Sequence, residues 1–178
     1  MLKWLSIIAA GGIVAVAAVL GYAATRPDSF EVRRSIAIDA PADEIFVLVN
    51  DLRRWAAWSP YERKDPAMRR DFGAVTAGEG AVYAWEGDGS VGKGRMEITD
   101  SSPPSRVAIR LDFEKPFDAH NTVKFLLEPN GESTNVTWAM HGPNLFISKV
   151  MGIFINMDEM IGTDFEVGLA NLKAVAEN

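Results

Sequence analysis

From Phe30 the chain alternates between apolar and polar positions, with Phe30, Val32, Ile36 and Ile38 on one face of a strand that Asp39-Ala40-Pro41 ends. Pro41 suits the start of a helix, and Asp43 and Glu44 are favourable in its first turn. That helix carries Ile45, Phe46, Leu48 and Val49 and stops at Asn50; a shorter one holds Leu52 and Trp55. Period-two alternation returns at Ala81 to Trp85, at Arg95 to Thr99, and through Val107, Ile109, Leu111 and Phe113. Val123, Phe125 and Leu127, then Val136, Trp138 and Met140, continue it. After Asn144 the period becomes helical, and Met157, Met160, Ile161, Phe165, Leu169, Leu172 and Val175 form one stripe. Gly162 and Gly168 let this helix sit close to its neighbours. Leu145 to Met157 is apolar nearly all round, as a buried short helix, a pocket lid or a membrane contact would be. The predicted order is one strand, two short helices, about six antiparallel strands and a long C-terminal helix, an α+β fold.

Turn residues set the pairing. Gly87 to Arg95, GDGSVGKGR, contains G-x-G-x-x-G and looks like a phosphate loop. A phosphate loop opens a helix, however, and here a strand follows; Gly94 also stands where magnesium would need Ser or Thr. Asp88-Gly89 therefore reads as a hairpin turn, which sets Trp85 opposite Gly92 and Tyr83 opposite Gly94. Aromatic rings beside strand glycines cover exposed backbone and leave room on that face. Asn130-Gly131 reads as a second turn, facing Val123 with Trp138 and Phe125 with Val136.

Residues 5–24 carry no charge, and about 20 apolar residues span a hydrocarbon core of about 30 Å. They read as one N-terminal transmembrane helix, with Gly21-Tyr22-Ala23 leaving a cleaved signal as the alternative. The division is a membrane anchor at 1–26 and one domain at 27–178, placed outside the cytoplasm. The net charge of −6 argues against nucleic acid as a partner. The doublets Arg33-Arg34, Arg53-Arg54 and Arg69-Arg70 lie apart, near acids, and read as solvated surface. The chain has no cysteine, so neither a disulfide nor a thiolate nucleophile is available.

Three features carry a family resemblance: the opening RSIAIDAPADEIFVLVNDLRRWAAWSPY (Arg34 to Tyr61), the YAWEG and GKGRMEI strands, and WAMHGP ahead of the C-terminal helix. They resemble the START-like helix-grip (SRPBCC) superfamily, in particular its polyketide cyclase/dehydrase and lipid-transport branch. The resemblance implies a curved antiparallel sheet of about seven strands wrapped around the long C-terminal helix, with a cavity between them. It also implies a lipid, sterol-like or polyketide-like ligand and brings no universal catalytic motif.

On that reading the cavity wall comprises Trp55, Trp58, Tyr83, Trp85, Met96, Phe113, Phe125, Trp138, Met140, Met157 and Met160. Such walls are apolar and aromatic with few polar groups, and methionine adapts to irregular ligands. Core packing alone would also account for each of these residues, but five Trp and seven Met in one chain, several on one concave face, tilt the reading towards a cavity. His120 and His141 face one another in the predicted register, on the face away from the cavity, and two histidines fall short of a zinc set. No Ser-His-Asp set and no carboxylate pair fall on the predicted inner face. The expectation is therefore a membrane-tethered domain that binds a hydrophobic small molecule, with no metal, cofactor or nucleotide. The alternatives are a cyclase- or aromatase-type enzyme using the same cavity, and a protein-interaction module of the chaperone-cofactor kind.

Overall fold

The computed structural model describes residues 2–178, with side chains from residue 10 onward. The chain runs α1 (Leu2–Ala24), β1 (Ser29–Ile38), α2 (Ala42–Asn50), a 3₁₀ helix (Leu52–Ala57) and α3 (Tyr61–Lys64). Six strands follow: β2 (Arg69–Phe72), β3 (Val82–Glu86), β4 (Lys93–Ser102), β5 (Arg106–Lys115), β6 (Ala119–Asn130) and β7 (Ser133–Pro143). Then come α4 (Phe146–Met151) and α5 (Met157–Ala176). All strands join one antiparallel sheet of order β1-β7-β6-β5-β4-β3-β2, so the helices after β1 carry the chain to the far edge and a meander brings it back.

The helix ends follow the local sequence. Pro41 precedes α2, with Asp43 and Glu44 in its first turn. Asn156 caps α5, its side chain accepting the Glu159 N–H at 3.2 Å. Helix α5 packs on the sheet through Phe165, Leu169 and Leu172, all buried. Phe165 stacks on Trp138 with ring centroids 4.2 Å apart and 9° between planes. Gly168 makes this possible, since a Cβ there would stand 2.6 Å from the Trp138 ring and 3.0 Å from Pro60. Gly162 leaves space for the Arg34 guanidinium, which pairs with Asp158 at 3.0 Å and Glu166 at 2.7 Å. Arg34 thus clamps α5 to β1 and is half-buried, whereas its doublet read as fully solvated surface.

Both predicted hairpin registers shift by two residues, which leaves every side chain on its predicted face. Trp85 lies opposite Gly94 and Tyr83 opposite Met96, because the β3–β4 connection is the six-residue loop Gly87–Gly92 and not a two-residue turn. Gly92 takes a φ of +64°, and the Asp88 side chain accepts the Ser90 N–H at 2.8 Å, which together close that longer loop. Trp85 does cover a strand glycine, Gly94. The β6–β7 turn sits on Gly131-Glu132, so Phe125 faces Trp138 and Val123 faces Met140. His141 consequently lies opposite Thr122, and His120 opposite Asp112 with its ring Nδ1 2.8 Å from the carboxylate; the two histidines do not meet.

Helix α1 extends over 23 residues, but part of the predicted transmembrane span, residues 5–9, lies outside the described side chains. Among the described residues no helix is long and apolar enough to cross a membrane, so the span predicted over 5–24 lacks structural support.

Candidate functional site

Between the concave face of the sheet, α3, α4 and α5 lies a cavity of about 1070 Å³. Its wall is built by strand alternation: Tyr83 and Trp85 from β3, Met96 from β4, Ile109, Leu111 and Phe113 from β5, and Val123, Trp138 and Met140 from β6 and β7. Helix α5 contributes Met157, Met160, Ile161 and Phe165, and the 3₁₀ helix contributes Trp55. Nine of the eleven residues predicted for the wall thus border the cavity.

Trp58 and Phe125 do not. Trp58 is fully buried behind the wall, 4.9 Å from the Trp55 ring centroid and 5.9 Å from that of Phe125, and its indole N–H donates to the Leu48 carbonyl at 3.0 Å. It joins the 3₁₀ helix to α2, while Trp55 donates to the Val49 carbonyl at 2.9 Å and borders the cavity. Trp138, by contrast, is 2 % exposed and its indole N–H has no partner, an arrangement that costs about 1–3 kcal/mol when left unsatisfied.

The cavity also has a polar stretch that the alternation pattern did not indicate. Glu62 on α3 accepts the Tyr83 hydroxyl at Oε1 and the Arg70 Nε at Oε2, each at 2.7 Å. Arg70 also donates to the Met68 carbonyl at 2.7 Å. It is therefore half-buried and tied to a wall residue, whereas its doublet suggested solvated surface. Lys64 pairs with Asp164 of α5 at 2.6 Å. Glu62 and Tyr61 lie on a four-residue helix too short for a periodic signature. Asp164 was more visible, since it falls on the same helical stripe as Met157, Met160, Ile161 and Phe165, a lone acid on an apolar face.

Burial pushes the Tyr83 phenol above its ordinary range, and the bond to Glu62 adds to the effect. Burial does the same to Tyr61, reinforced by the Asp164 charge beside it. Both phenols should therefore stay protonated past pH 10.0, their value when unperturbed. Any stability they contribute is fully present below that pH and is lost as the pH rises above it. Ultraviolet titration of a Tyr22→Phe/Tyr61→Phe variant, which leaves Tyr83 as its one tyrosine, checks this; a phenolate appearing at the ordinary pH would contradict the burial of Tyr83 against Glu62.

The mouth is apolar and exposed. Phe154 is 73 % exposed, and Leu145, Phe146, Ile147 and Ile155 are exposed beside it. Lys149 of α4 is buried and reaches back to Asp28 at 2.5 Å, holding that carboxyl below its usual range and tying α4 to the segment before β1. Among the described residues no group of three or more His, Cys, Asp or Glu side chains is placed to hold a metal ion.

No curated protein matches this sequence. In overall shape the chain is similar to a protein from Chromobacterium violaceum, with a TM-score of 0.59 at 15 % identity over 86 % of this chain and 99 % of that one. DynU16, a protein in the dynemicin biosynthetic locus, is similar at 21 % identity and a TM-score of 0.59, over 86 % of this chain and 48 % of its own. The Aha1 dimer protein from Colwellia psychrerythraea gives 18 % identity and a TM-score of 0.58, over 83 % of this chain and 96 % of its own. These likenesses are likenesses of fold. The model of the family "Polyketide cyclase / dehydrase and lipid transport" matches residues 29–177, from the first strand to the end of the grip helix, and the chain belongs to that family.

Proposed function

We propose that the domain binds a hydrophobic small molecule, lipid, sterol-like or polyketide-like, in this cavity. The observation that carries the reading is the cavity itself: about 1070 Å³, walled by Trp85, Met96, Leu111, Phe113 and Met140 between sheet and helix. A volume of this order suits a drug- to lipid-sized ligand, whose burial contributes about 25 cal/mol per Å² of apolar surface. Family membership supports the same reading.

Uptake from a lipid surface is part of the proposal. The exposed apolar rim at Leu145, Phe146, Ile147 and Phe154 adjoins α1, whose Ile13, Val14 and Val16 are exposed as well. Contiguous apolar surface on this scale marks an interaction site. Attachment through residues 5–24, with the domain outside the cytoplasm, would hold the mouth at the bilayer; protease accessibility of the full chain in intact cells tests it.

Native mass spectrometry of residues 27–178, followed by organic extraction, tests ligand binding. A bound molecule of defined mass supports the reading. An empty, folded domain that takes up no fluorescent lipid overturns it in favour of a protein partner. Trp85→Ala should weaken binding about tenfold or more, as loss of a buried aromatic wall implies, and His141→Ala should leave it unchanged. Equal losses would remove the assignment of faces.

A second reading, an enzyme of the cyclase or aromatase kind, is favoured by Glu62, Asp164, Tyr61 and Tyr83 at the wall. Positioned carboxylates and phenols are the groups that general acid–base chemistry requires. Conversion of the extracted ligand to a product of different mass, lost in Glu62→Gln, would establish it.

A further inference from the structure

The polar part of the cavity wall is one-sided in its hydrogen-bonding chemistry. Tyr83 is 2 % exposed and its single hydroxyl proton is committed to Glu62, so its oxygen offers the cavity only lone pairs. The Glu62 side chain is 9 % exposed and accepts one bond on each oxygen, which leaves further lone pairs on both. Asp164 likewise only accepts. Charge is balanced at each point: Arg70 pairs with Glu62 and Lys64 with Asp164. At these points an ammonium group would find no unpaired carboxylate, the cavity's Asp118 lying instead in the β5–β6 connection, and a carboxylate would meet lone pairs alone. A neutral hydroxyl, which brings a proton and no charge, fits both conditions.

One further observation points the same way. Among the described residues Arg26 is the one lysine or arginine bordering the cavity without an ion pair, and it is exposed, at the end of α1. A carboxylate-headed ligand would therefore be drawn outward to the rim and away from Glu62.

We infer that Glu62 and Tyr83 form a recognition subsite for a hydroxyl group on an otherwise apolar ligand, so that the cavity selects alcohols over carboxylic acids of the same chain length. The inference rests on the binding function proposed above and specifies the ligand head group.

Displacement of Nile red from the full chain by dodecanol, dodecylamine and dodecanoate tests it. Dodecanol should displace the probe at a concentration about tenfold lower than either charged analogue, the discrimination expected of one hydrogen bond to a charged acceptor. Glu62→Gln should reduce that preference, because its amide presents donors where the carboxylate presented acceptors. Tyr83→Phe, a milder change that preserves the ring packing, should weaken dodecanol and leave dodecanoate unchanged. Equal displacement by dodecanol and dodecanoate, or a preference unaltered in both variants, overturns the hydroxyl subsite while leaving the cavity reading intact. Failure of the protein to take up Nile red at all overturns both.

Discussion

Trp58→Ala is expected to destabilise the domain by about 3–5 kcal/mol, the range for truncating a fully buried large aromatic. Trp58 is 0 % exposed and its ring lies within 6 Å, centroid to centroid, of Trp55, Phe125 and Trp138. Its removal opens a void that these rings cannot fill without leaving their own partners. It also strands the Leu48 carbonyl, which accepts the indole N–H at 3.0 Å. Trp138 provides the contrast. Trp58→Phe loses a satisfied hydrogen bond, whereas Trp138→Phe removes a donor that has none. Urea unfolding should therefore rank Trp58→Ala as most destabilising, then Trp58→Phe, then Trp138→Phe. A Trp58→Ala midpoint close to that of the wild type would show that this residue does not join α2 to the core.

Gly94→Val is expected to cost about 1–3 kcal/mol or more, as forced overpacking does, and to reduce ligand uptake as well. A Cβ at Gly94 would stand 2.5 Å from the Trp85 ring and 2.6 Å from the Asp112 carbonyl oxygen. The carbonyl is backbone of the neighbouring strand and has little freedom to move. The ring is held by its own N–H bond to the Val91 carbonyl at 3.0 Å, so it must give up that bond and swing into the cavity. Gly89→Val, in the adjoining loop, is the control. A Cβ there meets nothing within 4 Å, and the change should stay within about 0.5 kcal/mol. Thermal unfolding separates the two, since 1 kcal/mol shifts the midpoint by about 2–4 °C at this size. Equal tolerance of both substitutions would mean that Trp85 does not rest on Gly94.

Periodicity was enough to identify most elements and faces. Alternation at Val107 to Phe113 and at Val123 to Leu127 marks strands with one buried face, because a pleated strand turns every second side chain inward. The same rule kept nine wall residues on the cavity side even though both hairpin registers moved by two. A strand would have to slip by one residue, not two, for the faces to exchange. The short elements were less legible. β2 at Arg69–Phe72 and α3 at Tyr61–Lys64 are four residues each, too brief for a period to show, and the Arg69-Arg70 doublet masked a strand whose Arg70 turns to Glu62.

Local sequence thus determined the strand-helix-meander-helix order, the inner face and the aromatic and methionine character of the wall, because these depend on neighbours one to four residues away. Only the tertiary structure decided that Trp58 and Phe125 stand behind the wall, since depth depends on the layer that packs over them. Only the fold brought Glu62 to Tyr83, 21 residues on, and Lys64 to Asp164, 100 residues on. Their meeting is set by how α3 and α5 close over the sheet, a geometry that no local period encodes.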